Sequence, residues 1–247
     1  MKKTIQIIAL LVVTLGYAQQ NFSKQVGKKD VKKGLISFKS FTNENGDVSY
    51  GFRKDSLIVG PNMILHADGK VTYQTYNKDN QLDGTVIKMD KEKDIVELYT
   101  YRDGKKDGPS FILTNGKPTK SEQYKDDKID LKGYVVEPPG KYALIKGDGK
   151  SGFTMDKYDN GSFALGYFKH GYRLFPMIHV WKDGDAYYGQ YLYDKRRGFG
   201  VYFYNDGKKY IGDWDDNYKE GIGFMIDKNG TIIEKGYYEG GVLKTAM

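Results

Sequence analysis

Residues 187–230 read YYGQYLYDKRRGFGVYFYNDGKKYIGDWDDNYKEGIGFMIDKNG, and this stretch contains nearly the same pattern twice. The segment YYG at 187–189 returns as YIG at 210–212, and GFG at 198–200 returns as GIG at 221–223. Each return takes 23 residues. A fixed period of this length is typical of repeat architectures.

The period extends over most of the chain. Turn glycines that follow Asn or Asp recur every 23 residues at four positions: Gly161, Gly184, Gly207 and Gly230. Near the N-terminus, Gly46 and Gly69 show the same spacing. These glycines predict nine units, of which the most degenerate lies in residues 133–153.

Each unit has the composition of a β-hairpin. Residues 201–204 (VYFY) are β-branched or aromatic, as strands prefer. Residues 205–207 (NDG) follow and offer the positive-φ glycine of a tight hairpin turn. At the other end of the hairpin, residues 215–220 are polar and are expected to form a wider charged loop. Beyond residue 18 no long apolar stripe of period 3.6 occurs, which predicts essentially no helix.

Alternation along a strand sorts the side chains of the repeat onto two faces. Tyr210, Gly212 and Trp214 should point to one face, and Ile211 and Asp213 to the other. Strand glycines mark places where something approaches the backbone closely. We expect that an aromatic ring lies over this bare backbone.

The segment 187–214 resembles the membrane occupation and recognition nexus (MORN) repeat, in which Tyr-x-Gly-x-aromatic is followed by Gly-x-Gly and then Asp-Gly. The step from the aromatic residue to Gly-x-Gly is seven residues both from Tyr191 to Gly198 and from Trp214 to Gly221. In residues 163–184 the segment FPM replaces Gly-x-Gly. Two earlier segments resemble a looser bacterial variant of the repeat: 76–84 and 101–108. The resemblance implies an open sheet of successive hairpins that serves binding and scaffolding.

The predicted fold is all-β, an elongated, twisted, open antiparallel sheet of tandem MORN-like hairpins of about 23 residues each. The chain divides into five segments: a signal peptide (1–18), a lysine-rich leader (19–39), degenerate MORN-variant repeats (40–132), an irregular junction (133–153) and MORN repeats (154–247). As one sheet, about 18 strands would extend about 85 Å. Sheets of that size twist, curl or split, and we expect a break at Pro138-Pro139.

The first 18 residues have the pattern of a secretory signal peptide. A positive start (1–3) precedes an apolar stretch (5–15), and small residues at positions 16 and 18 suit a cleavage site. The apolar stretch is short for a bilayer span, although a membrane anchor is the alternative. We predict export through a Sec-type signal peptide to the periplasm, the outer surface or the exterior of the cell.

Composition excludes several kinds of chemistry. The chain has no cysteine, which excludes disulfides, thiolate zinc sites and a cysteine nucleophile. Removal of Lys2 and Lys3 would lower the formal charge by two, from +7 to +5, a mild excess that favours anionic partners without selecting one. The lysines of residues 24–39 are interpreted as a solvated leader.

No arrangement of residues predicts catalysis. His66, His170 and His179 do not lie in any motif, and we interpret each as structural. His179 should share a face with Trp181. We predict no catalytic, cofactor-binding or metal-binding residue and no enzymatic activity.

Binding is the function that remains. Repetition aligns four aromatic residues into a candidate strip for a ligand: Phe168, Tyr191, Trp214 and Tyr238. Such a strip favours a scaffold for an unknown protein partner at the cell envelope, because Tyr and Trp are strong interface residues.

Two other partners stay open. An envelope glycan could stack on the aromatic face, and an anionic lipid surface could bind the basic loops. The candidate contacts for an anionic surface are Lys195, Arg196, Arg197, Lys208 and Lys209. No nucleic-acid partner is expected. Unpaired sheet edges also predict edge-to-edge self-association.

Overall fold

The computed structural model describes residues 28–129 and 152–247. A short helix, α1 (Lys28–Lys32), comes first. The strands before the gap are β1 (Ile36–Thr42), β2 (Val48–Lys54), β3 (Leu57–Leu65), β4 (Val71–Tyr76), β5 (Gly84–Asp90), β6 (Ile95–Arg102), β7 (Lys105–Thr114), β8 (Lys117–Lys125) and β9 (Lys128–Ile129). Those after it are β10 (Gly152–Lys157), β11 (Phe163–Lys169), β12 (Tyr172–Val180), β13 (Ala186–Leu192), β14 (Lys195–Phe203), β15 (Lys209–Asp215), β16 (Tyr218–Ile226), β17 (Ile232–Glu239) and β18 (Val242–Ala246).

The strands form two nine-stranded sheets, in each of which spatial order follows chain order. The first sheet holds β1–β9 and the second holds β10–β18, and neighbouring strands pair antiparallel. Within the described residues α1 is five residues long. The all-β class and the succession of hairpins are therefore confirmed. The break expected at Pro138-Pro139 lies outside the described residues.

The two sheets pack face to face. Strand β3 contacts β15, and β5 contacts β13, so the chain folds back on itself. Rings from opposite sheets meet near both ends, with centroids 5.1 Å apart for Phe38 and Phe224 and 5.1 Å apart for Phe111 and Phe153. Two layers thus replace the single elongated sheet that the repeat period suggested. Each sheet is about 38 Å wide, from nine strands at about 4.8 Å spacing.

The inner faces carry mainly aliphatic side chains and phenylalanine. Five of these residues are at most 1% exposed: Phe52, Ile87, Leu98, Phe199 and Ile211. Each fully buried side chain of this kind stabilises the fold by about 1.5–3 kcal/mol. The prediction that Ile211 points away from Tyr210 is confirmed, because the two residues belong to separate hydrophobic clusters.

The two ends of the hairpins differ from the expectation. In the segment 215–220 the turn has two central residues, Asp216 (φ 49°) and Asn217 (φ 74°), and strands continue on both sides. Positive φ at both positions is the signature of a type I′ turn. At 205–207 only Gly207 has positive φ, and its amide donates to the Tyr204 carbonyl (2.9 Å) across a three-residue loop. The tight turn therefore lies where we expected the wider loop, because Asp and Asn also tolerate the left-handed conformation.

Part of the predicted leader belongs to the folded structure. In α1 the side chain of Val31 is buried, and Lys28 pairs with Glu239 at 2.6 Å. Strand β1 begins at Ile36, which is also buried. Residues 28–39 are thus not the solvated leader that their lysines indicated, because apolar residues between the lysines pack on the sheets.

Candidate binding face

The outer face of the second sheet is aromatic. Tyr187 and Tyr210 are fully buried there, although no other sheet of the described residues covers them. Each ring lies over two glycines: a Cβ atom placed on Gly200 would come 2.3 Å from the Tyr187 hydroxyl oxygen, and one on Gly223 would come 2.4 Å from that of Tyr210. The expected packing of rings over bare backbone is confirmed.

The candidate strip is aligned on this face but is buried. Phe168, Tyr191, Trp214 and Tyr238 belong to one cluster and are between 1% and 7% exposed. Tyr187 contacts both Tyr191 and Trp214 edge to face, at centroid distances of 5.3 and 5.4 Å. Repetition aligned these residues as predicted, but the strip stabilises the face and offers a ligand almost no surface.

Half-buried rings lie beside it, towards the Asn/Asp-Gly turns. We call four residues the aromatic row: Tyr158, Trp181, Tyr202 and Tyr204. Tyr158, Trp181 and Tyr204 are 23 residues apart, each three residues before a turn glycine. The 23-residue spacing is a sequence signal that could have identified this row. Spacing does not distinguish the accessible aromatic row from the buried candidate strip, because both have the same period. The row crosses the sheet from β10 to β14, about 19 Å.

His179 connects the row. Its ring stacks on Trp181 at 4.1 Å with an interplanar angle of 20°, so the prediction that the two share a face is confirmed. Burial, and then the positive charges of Arg173 and Arg196, lower the pKa of His179 to about 4. The neutral imidazole lies 3.1 Å from the Tyr191 hydroxyl through Nδ1. This geometry supports a structural role for His179.

Long cationic side chains cover the buried rings. Arg173, Arg196 and Lys219 are 23 residues apart. The guanidinium carbon of Arg173 lies 5.0 Å from the Tyr191 ring, that of Arg196 lies 4.3 Å from Trp214, and the Lys219 ammonium lies 5.0 Å from the Tyr210 ring. Such contacts stabilise by about 0.5–2 kcal/mol each. They also supply part of the layer that this face lacks.

Arg196 lies among more rings than the other two cations. Its guanidinium carbon is 5.7 Å from the ring of Trp181 and 5.2 Å from that of Tyr202, in addition to its contact with Trp214. Sequence analysis proposed Arg196 as a contact for an anionic surface but gave no sign of these rings. Its location brings one positive charge to the middle of the aromatic row.

The other predicted basic contacts do not form one patch. Lys195 pairs with Asp216, and Arg197 Nε lies 2.6 Å from an Asp215 carboxylate oxygen. Both lie at the start of β14. Lys208 and Lys209 lie beyond the other end of that nine-residue strand, about 27 Å away. Burial lowers the pKa of Lys209, and Lys208 pairs with Asp206 at 2.8 Å.

A polar groove of about 810 Å³ opens on the outer face of the first sheet. In it the Asp47 carboxylate accepts a hydrogen bond from the Ala67 amide (3.0 Å) and lies 3.3 Å from His66 Nδ1. His66 Nε2 lies 2.9 Å from the Thr72 hydroxyl. Asp185 holds a turn of the second sheet in the same way, by accepting from a backbone amide. The network therefore links adjacent turns, which accounts for His66 structurally.

Residues 28–129 and 152–247 contain no group of three or more His, Asp or Glu side chains that could hold a metal ion. No helix in these two segments has the length and apolarity needed to cross a membrane.

Comparison with known proteins does not assign the chain. No protein-family model matches it, and no curated protein matches it significantly. The TCP domain of SAS-4 (dCPAP) of Drosophila melanogaster, solved with a proline-rich motif of Ana2 (dSTIL), is 11% identical over 82% of this chain and 89% of that chain, with a TM-score of 0.21. A catalytically inactive virginiamycin B lyase from Staphylococcus aureus, solved with quinupristin, is 10% identical over 80% and 98%, with a TM-score of 0.15. Scores this low carry no argument about fold or function.

Proposed function

We propose that the protein is a non-catalytic scaffold that binds a protein partner at the cell envelope through the aromatic row. The observation that supports this is a row of half-buried Tyr and Trp rings, beside buried rings that pack against strand glycines. Tyr and Trp give large contact area at low entropic cost, because few rotatable bonds must be fixed on binding. The envelope location rests on the predicted signal peptide, and the MORN resemblance stays a prediction; both agree with a binding role.

Ring orientation favours a protein partner over the alternative of an envelope glycan. Trp181 stacks on His179 and is inclined by only 31° to Tyr202 at 5.5 Å. The ring face of Trp181 is therefore engaged with neighbouring rings. Sugars stack on ring faces, whereas a protein interface also uses edge-to-face contacts.

Charge pairing argues against an anionic membrane surface as the main partner. Lys195, Arg197 and Lys208 each have a carboxylate of this chain beside them. These pairs are exposed and individually weak, but they place a carboxylate beside three of the five cations in the basic loops. Self-association through sheet edges stays a prediction. A molar mass by light scattering that does not change with concentration would contradict it.

Affinity capture tests the scaffold proposal. The tagged chain would be incubated with envelope extract from the producing cell, beside a Trp181→Ser/Tyr204→Ser variant shown to be folded. The matched control is Tyr99→Ser/Tyr124→Ser, which removes two half-buried rings from the outer face of the first sheet. We expect a protein that the wild type and the control retain and the Trp181/Tyr204 variant loses.

Retention by all three proteins would contradict the assignment to the aromatic row. Salt separates the alternatives further, because exposed charges are screened and aromatic contacts are not. A partner that is released at high salt by wild type and control alike, together with vesicle binding of the same salt dependence, would favour the membrane alternative.

A further inference from the structure

The repeat supplies a matched pair of arginines with different neighbours. Arg173 and Arg196 are one period apart, and the residues facing them across the turn are Asp194 and Asn217, also one period apart. Each arginine amide donates to the side-chain oxygen opposite, Asp194 Oδ1 at 2.9 Å and Asn217 Oδ1 at 2.9 Å. The two turns therefore have the same backbone contact, but the residue that faces the arginine carries a negative charge only at Asp194.

The charge difference changes the environment of the guanidinium group. Arg173 Nε lies 2.9 Å from the Asp194 carboxylate. Arg196 instead donates from Nη2 to the Asn217 carbonyl oxygen at 2.9 Å. Within residues 28–129 and 152–247 no carboxylate oxygen lies within 4 Å of the Arg196 guanidinium, which has five N–H donors.

The rings fix this cation on the accessible side of the face. Trp214 lies beneath it at 4.3 Å, and the half-buried rings of Trp181 and Tyr202 flank it at 5.7 and 5.2 Å. A guanidinium held on rings loses less rotational freedom when it binds, because its plane is already oriented. The neighbouring Lys195 and Arg197 are paired with Asp216 and Asp215. Arg196 is thus the cation of this turn whose charge is not neutralised.

We propose that Arg196 anchors a carboxylate of an acidic segment in the protein partner, with aromatic or aliphatic side chains of that segment packed on the aromatic row. This rests on the proposed scaffold function and names the chemistry of the partner. A planar guanidinium suits a carboxylate because two parallel N–H···O bonds form at once. The Trp181 ring beside it is already stacked on His179, which favours a peptide as the source of the carboxylate over an acidic glycan.

The two tryptophans of the chain make the test direct. Trp181 and Trp214 are the only tryptophans, and both contact Arg196. Their fluorescence would be followed while the full chain is titrated with the peptide acetyl-(Glu-Phe)₃-amide, which has no tryptophan. The matched probe acetyl-(Gln-Phe)₃-amide keeps the apolar groups and removes the charge. We expect saturable binding of the acidic peptide, and binding of the neutral one at least tenfold weaker, as the loss of a charged hydrogen-bond partner implies.

The repeat also supplies the variants. Asn217→Asp places beside Arg196 the carboxylate that Arg173 already has, and Asp194 shows that this turn position (φ 67° against 74°) accepts Asp. We expect Asn217→Asp and Arg196→Gln each to weaken the acidic peptide at least tenfold. Asp194→Asn is the control and should bind at least as tightly as wild type, because it removes a competing carboxylate and leaves Arg196 unchanged.

Three results would overturn the proposal. One is wild-type affinity of a folded Asn217→Asp or Arg196→Gln variant for the acidic peptide. Another is equal affinity of the wild type for both peptides. The third is saturable binding of polygalacturonate without binding of the acidic peptide, which would make a glycan the source of the carboxylate. If Asn217→Asp still captures the envelope partner and Trp181→Ser/Tyr204→Ser does not, the scaffold function stands and the role of Arg196 fails.

Discussion

Replacing Gly223 by alanine should destabilise the protein through one ring. The new Cβ atom would lie 2.4 Å from the Tyr210 hydroxyl oxygen and 2.7 Å from the ring carbon that bears it. Gly223 does not have positive φ, so alanine suits its backbone and the cost is steric. Tyr210 cannot move away easily, because it is fully buried and its hydroxyl donates to the Asp213 carbonyl at 3.2 Å.

The magnitude follows from two contributions. Overfilling a packed site costs about 1–3 kcal/mol. Losing the hydrogen bond of Tyr210 adds about 0.5–1.5 kcal/mol. We therefore expect Gly223→Ala to lower the free energy of unfolding by about 1.5–4.5 kcal/mol, measured by urea denaturation with the slope m checked for constancy.

The chain itself contains a compensated version of this site. Ala164 lies one repeat before Tyr187 and two repeats before Tyr210. Met177 lies one repeat before Gly200 and two repeats before Gly223. Ala164 and Met177 are both fully buried. The methionine thus fills the volume that the tyrosine ring occupies elsewhere.

This natural exchange gives the control. Tyr210→Ala alone should cost about 3–5 kcal/mol through the cavity it leaves, and Gly223→Met alone should cost more than Gly223→Ala. The double variant Tyr210→Ala/Gly223→Met should be more stable than either single variant, with a coupling energy of at least about 2 kcal/mol. Additive free energies would refute the packing argument, because they would mean that ring and glycine do not share one space.

Three further results are expected. Burial raises the pKa of Asp213 well above its usual range; the folded carboxyl keeps a proton that the unfolded chain releases above pH about 4. The free energy of unfolding should therefore fall as the pH rises past that value. In urea melts the Asp213→Asn variant should gain stability relative to wild type between pH 4 and pH 7. A stability difference that stays constant over this range would contradict this. The pKa of His179 is lowered to about 4 in the folded protein. The contribution of neutral His179 to stability is therefore complete above the pKa of about 6.5 in the unfolded chain, and it is lost as the pH falls towards 4. An NMR titration of His179 with a midpoint near 6.5 would contradict this. Tyr187→Phe keeps the ring and removes its hydrogen bond to the Gln190 carbonyl at 3.0 Å, which should cost about 1 kcal/mol in urea melts, and an unchanged stability would count against that bond.

Local features were predictable because they depend on neighbours within one or two strands. The side-chain period of two fixes which residues share a face, so Tyr210, Gly212 and Trp214 fall together and Ile211 falls opposite. Glycine among strand aromatics predicts a ring over bare backbone, and the distances at Gly223 confirm it. These rules need no knowledge of the complete fold.

The position of the accessible surface was not predictable in the same way. Tyr191 and Trp214 have the same period as Trp181 and Tyr204, and sequence spacing does not distinguish the two rows. Burial depends on what lies across the strands: Tyr187 packs against both Tyr191 and Trp214. The face-to-face packing of the two sheets depends in turn on long-range contacts that no local pattern contains.

Packing the two sheets together leaves two outer faces, and their chemistry differs. On the outer face of the first sheet two buried amides have polar partners: Asn62 donates to the Ser49 hydroxyl at 3.0 Å, and Gln74 donates to the Tyr76 hydroxyl at 2.8 Å. A polar network satisfied internally gains little from a partner, because every new hydrogen bond replaces an existing one.

The second sheet has the opposite character. Its aromatic row is half-buried. Among residues 28–129 and 152–247 the Arg196 guanidinium has no carboxylate beside it, because Asn217 stands where the previous repeat has Asp194. Desolvating that cation against rings costs less than desolvating an ammonium, since guanidinium is weakly hydrated. A partner carboxylate therefore gains most at this point of the surface. For that reason we propose that binding takes place on the second sheet, although both sheets are built from hairpins.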